Sequence, residues 1–351
     1  MAGSCAPVSI SNAMRALIID SPGKTRIAEM PRPEPGRDEV LLQTRIIGMC
    51  GTDLSTFRGK NPLVSYPRIP GHEIAATIVE AGAAVPKHFA AGLNVTVSPY
   101  TNCGKCASCK RGRVNACQFN QTLGVQREGA MKDYFTAHWS KLYIAEGLGL
   151  TELSIVEPLS VGFHAAARAR VMREDTVAVI GCGVVGLGAI AASDFRAANV
   201  IAIDVDDRKL AVAGQAGARH LINSASVNVH EELLRLTDGL GPDVVIEAVG
   251  TPNTFRMAVE EVAFTGRVVY IGYAKEPVEY ETRLFVMKEL DILGSRNALD
   301  EFGTVIEALR GGRFPVSSIV SRVVALEEAG GALQAWSDDP GAYVKVQVSL
   351  S

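Results

Sequence analysis

Three groups of residues in this chain have types and spacings that suit chemistry. The first is Cys103, Cys106, Cys109 and Cys117, a C-x2-C-x2-C-x7-C run. It lies among Gly, Lys, Arg and Asn residues that can bury little apolar surface. Four thiolates around a closed tetrahedral zinc would hold such a stretch in place of a core. An iron–sulfur cluster is the rival, but the ferredoxin run closes with a short gap and a Pro. Here seven residues precede Cys117 and Gln118 follows it.

The second group is Gly181-Cys182-Gly183-Val184-Val185-Gly186, a match to G-x-G-x-x-G. Missing side chains let the backbone approach a pyrophosphate, and a helix N-terminus there offers it unpaired N–H groups and partial positive charge. Asp204 follows about 20 residues on, where a carboxylate accepts hydrogen bonds from the adenosine ribose hydroxyls and repels a 2′-phosphate. Arg208 and Lys209 are the counter-argument for NADP, but they fall inside the next expected helix, so NAD is the expected dinucleotide. Cys182 reads as a small packing residue.

The third group is dispersed: Cys50-Gly51-Thr52-Asp53, Gly71-His72-Glu73, and Glu157 ahead of Pro158. A lone Cys or His is usually a packing residue or a satisfied hydrogen-bonding group. Together, however, they offer S, N and O donors for a catalytic zinc with an open position, a Lewis acid that lowers the pKa of a substrate hydroxyl. That complements hydride removal by NAD, because an alkoxide readily expels hydride.

The elements that must position these groups follow from the patterning. From Met14, β-rich runs punctuated by Pro and Gly (Arg15 to Asp20, Glu39 to Ile47, Glu73 to Ala81, Asn94 to Val97) predict an all-β unit with long loops. After Glu157, strands alternate with helical stretches, which predicts a parallel sheet with covered faces. Its strands are expected at Thr176 to Ile180, Val200 to Asp204, His220 to Asn223, Asp243 to Ala248, Val268 to Gly272 and Asp291 to Gly294, mostly apolar as strands buried on both faces should be. A helix around Phe302 to Leu309 and a strand at Tyr343 to Val348 then return toward the first unit. The expected division is 14–160 for the catalytic unit, 161–297 for the nucleotide unit and 298–351 for the return. Residues 1–13 read as a leader or cloning remnant, with Ser11-Asn12-Ala13 ahead of Met14.

Composition agrees with a folded chain of two domains. There are 351 residues, 47% hydrophobic and 21% charged, which excludes a disordered or collagen-like chain. Lys plus Arg number 35 against 38 Asp plus Glu, a net charge of −3 that leaves no footprint for nucleic acid. The longest uncharged run, Thr176 to Ser193, contains four glycines and reads as strand, turn and helix rather than a membrane span. No basic and apolar leader opens the chain, so a cytoplasmic location is expected, and four crowded cysteines there point to metal before disulfides.

At these residues the sequence resembles the zinc-containing medium-chain dehydrogenases, in the branch of sorbitol, threonine and sugar-acid dehydrogenases. The markers are Cys50-Gly51-Thr52-Asp53, Gly71-His72-Glu73, the four-cysteine lobe, Glu157-Pro158-Leu159 and Gly181 to Gly186, in the family's order. The resemblance implies an α/β chain: a GroES-like β-rich catalytic domain completed by the C-terminus, a Rossmann doubly wound parallel sheet, and a cleft between them. It implies that Cys50 and His72 ligate the catalytic zinc, with Glu73 and Glu157 alternating as ligand or water partner. Thr52 would pass on the substrate proton and Asp53 would orient His72. Ser55 stands where liver-type alcohol dehydrogenases continue the relay with a histidine.

A closer likeness, to bacterial L-galactonate-type sugar-acid dehydrogenases, rests on Ser65-Tyr66-Pro67-Arg68 and Gly294-Ser295-Arg296-Asn297. It makes Arg296 a candidate substrate contact, with an ordinary surface ion pair as the alternative. Where those relatives resemble Gly-Val-His-x-Asp-Gly-Gly-Phe, this chain reads Gly124-Val125-Gln126-Arg127-Glu128-Gly129-Ala130-Met131. Met131 is then either a pocket residue or core filler. The expected function is zinc-dependent, NAD-linked oxidation of a secondary alcohol on a polyol, sugar or sugar acid by a homodimer or homotetramer. Threonine 3-dehydrogenase-like oxidation and a non-catalytic dinucleotide-binding redox sensor are the alternatives.

Overall fold

The computed structural model describes residues 13–350. The expectation for residues 1–12 lies outside the described residues, while Ala13 already belongs to the first strand. Fifteen strands, β1 (Ala13–Ser21), β2 (Lys24–Pro31), β3 (Glu39–Met49), β4 (Glu73–Ala81), β5 (Asn94–Val97), β6 (Tyr134–His138), β7 (Leu142–Ile144), β8 (Thr176–Ile180), β9 (Asn199–Asp204), β10 (His220–Asn223), β11 (Val244–Glu247), β12 (Arg267–Tyr270), β13 (Asp291–Gly294), β14 (Val320–Ala325) and β15 (Lys345–Ser349), form three sheets among the described residues.

β1 and β2 make an antiparallel ribbon. A seven-stranded sheet runs β14-β15-β3-β4-β5-β7, with β6 also pairing β3. The expected return is present: β15 lies antiparallel to β3 with Val346 opposite Met49, which brings Lys345 to the Met49 carbonyl although the two are 296 positions apart in sequence. In the next ladder Gly48 faces Glu73 across β3 and β4.

The second large sheet is fully parallel in the order β10-β9-β8-β11-β12-β13. Numbered from β8, that is the 3-2-1-4-5-6 order of a dinucleotide-binding sheet. Val177, Val179, Val244 and Ile246 are fully buried because helices cover both faces. All six expected strands are present, with ends shifted by a residue or two.

The helices with a bearing on the site are α1 (Gly51–Phe57), α2 (Ala107–Lys110), α3 (Leu150–Arg168), α4 (Val184–Phe195) and α5 (Asp207–Gln215). α3 links the two large sheets and packs on β3, β4 and β5 as well as on α4. Leu153, Ile155, Val156, Leu159 and Phe163 put most of its circumference in a shared core, which is why no clean amphipathic stripe announces it. Glu157 therefore stands inside a helix, with Pro158 the next residue within it, rather than at a junction. No helix among the described residues is long and apolar enough to cross a membrane.

Candidate active site

β3 ends and α1 begins at Cys50, the helix N-cap. The Cys50 N–H donates to Asp53 Oδ2 at 2.9 Å, and the Gly71 N–H reaches Asp53 Oδ1 at 3.3 Å. Asp53 is fully buried, so one carboxylate ties together the two backbone segments that carry Cys50 and His72. His72 Nδ1 is 3.9 Å from Asp53 Oδ1, an ion-pair rather than a hydrogen-bond distance, and has no hydrogen-bond partner among the described residues, so Asp53 bears on His72 through its charge and through the backbone it ties down. The competing donors are backbone N–H groups, which the carboxylate reaches first.

Cys50, His72 and Glu73 bring one donor atom each to within 4.8 Å of one another. Burial opposes a charged His72, yet Asp53, Cys50 and Glu157 outweigh it and hold the imidazole pKa well above its ordinary value. Glu73 opens β4 with its side chain laid over Gly48, where an added Cβ would meet Oε2 at 2.0 Å. Lys345 Nζ donates to both Glu73 oxygens, at 2.7 and 2.5 Å, and to the Met49 carbonyl at 3.0 Å.

Glu157 stands outside the three-donor set but within its field. Burial raises its pKa, Glu73 adds to the rise, and His72, the Tyr100 hydrogen bond and Lys345 work against it. Tyr100 OH donates to Glu157 Oε1. The Tyr100 hydroxyl is pushed well up by its own burial and then by Glu157. Thr52 is half-buried with Oγ1 3.6 Å from Cys50 Sγ.

The nucleotide loop has the geometry its glycines require. Gly181 sits at φ +95°, and a Cβ on Gly186 would lie 1.8 Å from the Gly181 carbonyl oxygen. Gly183 caps α4, whose first residues are Val184 and Val185. Asp204 ends β9, accepting from Cys182 N at 2.7 Å and from Val205 N at 2.8 Å. Arg208 is turned to Asp206, with NH2 2.8 Å from Oδ2, on an exposed face. The Arg208 hydrogen bonds pull Asp206 down to about 2. Cys182 is buried, as a packing residue should be.

In the lobe, the sulfurs of Cys103, Cys106, Cys109 and Cys117 also lie within 4.8 Å of one another. Cys106 and Cys117 sulfurs are 3.8 Å apart, far longer than a disulfide. Backbone N–H groups of Cys103 and Phe119 point at Cys117 Sγ, and that of Cys106 at Cys103 Sγ, each at 3.3 Å. The Ser108 hydroxyl and then backbone N–H groups draw Cys106 down to about 5, while burial and the neighbouring Cys106 and Cys117 sulfurs push Cys109 up to about 11.

Two regions of the chain match family models: residues 36–146 the alcohol dehydrogenase GroES-like domain, and residues 184–310 the zinc-binding dehydrogenase domain. Sorbitol dehydrogenase of Bacillus subtilis (strain 168) is 31% identical over 333 residues, 93% of this chain and 94% of that one. The chain belongs to the zinc-type medium-chain alcohol dehydrogenases. L-galactonate-5-dehydrogenase of Escherichia coli (strain K12) is 30% identical over 290 residues, 83% of this chain and 85% of that one. An alcohol dehydrogenase from E. coli CFT073, solved with NADH, superposes with TM-score 0.89 at 27% identity, covering 97% of this chain and 100% of that one.

As a zinc-type dehydrogenase the chain is an NAD(P)-linked enzyme with a GroES-like and a Rossmann domain. Its own donors fit the metal: thiol, imidazole and carboxylate converge at one buried point, with an unpartnered His72 nitrogen, and four thiols converge at the other. The open space beside Gly183 and the carboxylate at the end of β9 fit the dinucleotide.

Of the two residues near the expected pocket, the structure places Met131 in the core and Arg296 at the surface. Met131 is fully buried within the catalytic core, which settles its alternatives in favour of core filler. Arg296 is exposed, and its carbonyl rather than its guanidinium is engaged, by Asn115 Nδ2 at 2.8 Å. Lys345 and Tyr100 escaped the sequence reading. Lys345 alternates with Val344 and Val346 as a solvent-facing residue would, but its face of the sheet is covered by α3, where Gln347 on the same face bonds the Thr151 carbonyl and Ser154 Oγ.

Proposed function

We propose that the enzyme oxidises a secondary alcohol on a polyol, sugar or sugar acid, using NAD. The convergence of Cys50, His72 and Glu73 donors within 4.8 Å, beneath a buried Glu157, carries this reading. Cys50 and His72 would hold the catalytic zinc with Glu73 or Glu157, and the metal, when bound, supplies a Lewis acid that lowers the pKa of a substrate hydroxyl. The half-buried Thr52 hydroxyl, beside Cys50, is placed to accept and pass on the substrate proton. Gly181, Gly183, Val184, Val185 and Gly186 would cradle the pyrophosphate, and Asp204 would bind the ribose hydroxyls and disfavour NADP. Cys103, Cys106, Cys109 and Cys117 would hold a structural zinc. The sorbitol and L-galactonate activities named for two relatives support the substrate class.

The catalytic domain is assigned to 14–160, the nucleotide domain to 161–297 and the return to 298–351. A cytoplasmic location suits four thiols that must stay reduced. A second copy of the chain is the expected macromolecular partner: β13 pairs only with β12 among the described residues, leaving an edge with Ile292 39% exposed. Light scattering tests that point. The reaction is tested by NADH formation with polyols, aldonic acids and threonine, on metal-stripped protein and after zinc is restored. Zinc-dependent turnover of a polyol or aldonic acid bears the reading out; turnover of threonine alone, or NADH binding with no turnover across the panel, overturns it.

A further inference from the structure

Asn115 lies in the four-cysteine lobe, between Cys109 and Cys117, and is 2% exposed. Its amide nitrogen makes two contacts outside the lobe: 2.9 Å to His164 Nε2 on α3 and 2.8 Å to the Arg296 carbonyl. Its main-chain carbonyl accepts from Asn297 Nδ2 at 3.0 Å, while its side-chain Oδ1 has no hydrogen-bond partner among the described residues. The Arg296 carbonyl can only accept, so the amide nitrogen must face it. His164 Nε2 then accepts as well, and Nδ1 donates to Glu301 Oε1 at 2.7 Å. Glu301 Oε2 in turn accepts from Leu299 N at 2.6 Å, closing the network onto the chain just beyond Asn297.

These bonds hold one particular segment. Ser295 to Asn297 follow directly on β13, with Asn297 at φ +54° and Arg168 Nε 3.1 Å from the Gly294 carbonyl. In a dinucleotide sheet of this order, β8 and β9 serve the adenosine half and β11 to β13 the second mononucleotide half, with ligands outside the carboxyl ends of the strands. The turn after β13 thus stands at the nicotinamide end. His164 is also two turns from Glu157 on the same helix, so the lobe is bonded to a helix that enters the metal site.

We infer that Asn115 is a positioning residue: through it the four-cysteine lobe sets the Ser295–Asn297 turn, and with it the nicotinamide end of the cofactor site. The lobe then serves cofactor binding as well as folding. The inference rests on the assignment of the cleft to NAD and extends it to the lobe.

The test compares NADH with ADP-ribose, which lacks the nicotinamide, by titration of the zinc-loaded protein. In Asn115→Ala, NADH affinity falls about fivefold, the effect of losing the one hydrogen bond that reaches the turn, while ADP-ribose affinity and zinc content are unchanged. Asn297→Asp removes the other donor without touching the lobe, suits a left-handed backbone, and carries the test should Asn115→Ala fail to fold. A general loss of structure would weaken both ligands alike. Equal weakening of both, or no change in either, overturns the inference alone. Wild-type protein that binds neither ligand overturns the cofactor assignment and this inference with it.

Discussion

Lys345 and Glu73 form a buried ion pair with Nζ 2.5 Å from Oε2, linking the C-terminal strand to the strand that follows His72. Burial disfavours the ammonium, yet Glu73, Cys50 and Glu157 outweigh that penalty and raise the Lys345 pKa. The last strand of the chain thereby supplies the counter-charge to a metal site built from its first third. Glu73 keeps this contact while one of its oxygens lies within 4.8 Å of the Cys50 and His72 donors, so Lys345 competes with a metal for that carboxylate and the pair bears on which acid the metal takes.

Lys345→Met should therefore be strongly destabilising. It leaves a carboxylate buried without its partner, and breaking such a pair costs about 3–5 kcal/mol. The double variant Lys345→Met with Glu73→Gln should recover much of that loss, because no net charge stays buried. Denaturant unfolding of the two single variants and the double variant measures the coupling; additive losses would show that the pair is not the source.

Gly48→Ala tests the same carboxylate from its other side. A Cβ there would lie 2.0 Å from Glu73 Oε2, so Glu73 must leave its position between Gly48 and Lys345. Overpacking of this kind costs about 1–3 kcal/mol. The expected result is a lowered melting temperature together with loss of the catalytic-site zinc and a retained lobe zinc, read by metal analysis. Full zinc content with unaltered turnover would show that Glu73 is free to move.

The parts of this architecture legible in the sequence are those whose signal is local. Gly181 to Gly186 flanked by β8 and α4, the short spacing of Cys103 to Cys117, and the apolar runs of β8 and β11 each carry their meaning within a few residues. Contacts made by strand pairing do not. Nothing near Lys345 points to Glu73, and nothing near Asn115 points to His164 or Arg296, since each partnership is created by the packing of distant segments. Asp53 was visible as a candidate beside Cys50, but its preference for two backbone N–H groups over the His72 ring depends on turn geometry that spacing does not encode. For Arg296 the sequence points to the side chain, and the packing of distant segments adds a second use, its carbonyl accepting from Asn115.

The lobe should release protons as it takes up zinc, and the thiols differ in their share. Cys109, pushed up to about 11, is protonated at pH 7 and must lose its proton to become a ligand. Cys106, drawn down to about 5, is already ionised there and releases none. Zinc affinity at the lobe should accordingly rise between pH 6 and pH 9 as the competing proton is removed. Metal-stripped protein titrated with zinc in weak buffer containing a pH indicator measures the release, and affinity independent of pH would contradict it.

Asp204 should decide the choice of dinucleotide, and its substitution should do so in a recognisable way. Its carboxylate accepts from Cys182 N in the phosphate loop and from Val205 N, so it both shapes the loop and presents negative charge at the end of β9. Asp204→Ser keeps a polar group but removes the charge. Losing hydrogen bonds to a charged group costs about 1.5–3 kcal/mol, or roughly ten- to a hundredfold in kcat/KM with NAD. With NADP the lost bonds are offset by relief of repulsion against the 2′-phosphate, so the preference for NAD should narrow. Arg208, already engaged by Asp206 on the exposed face, would then be a cation of α5 available to that phosphate. The double variant with Arg208→Ala should forfeit the NADP gain, while a preference unchanged across all three proteins would place cofactor selection elsewhere than β9.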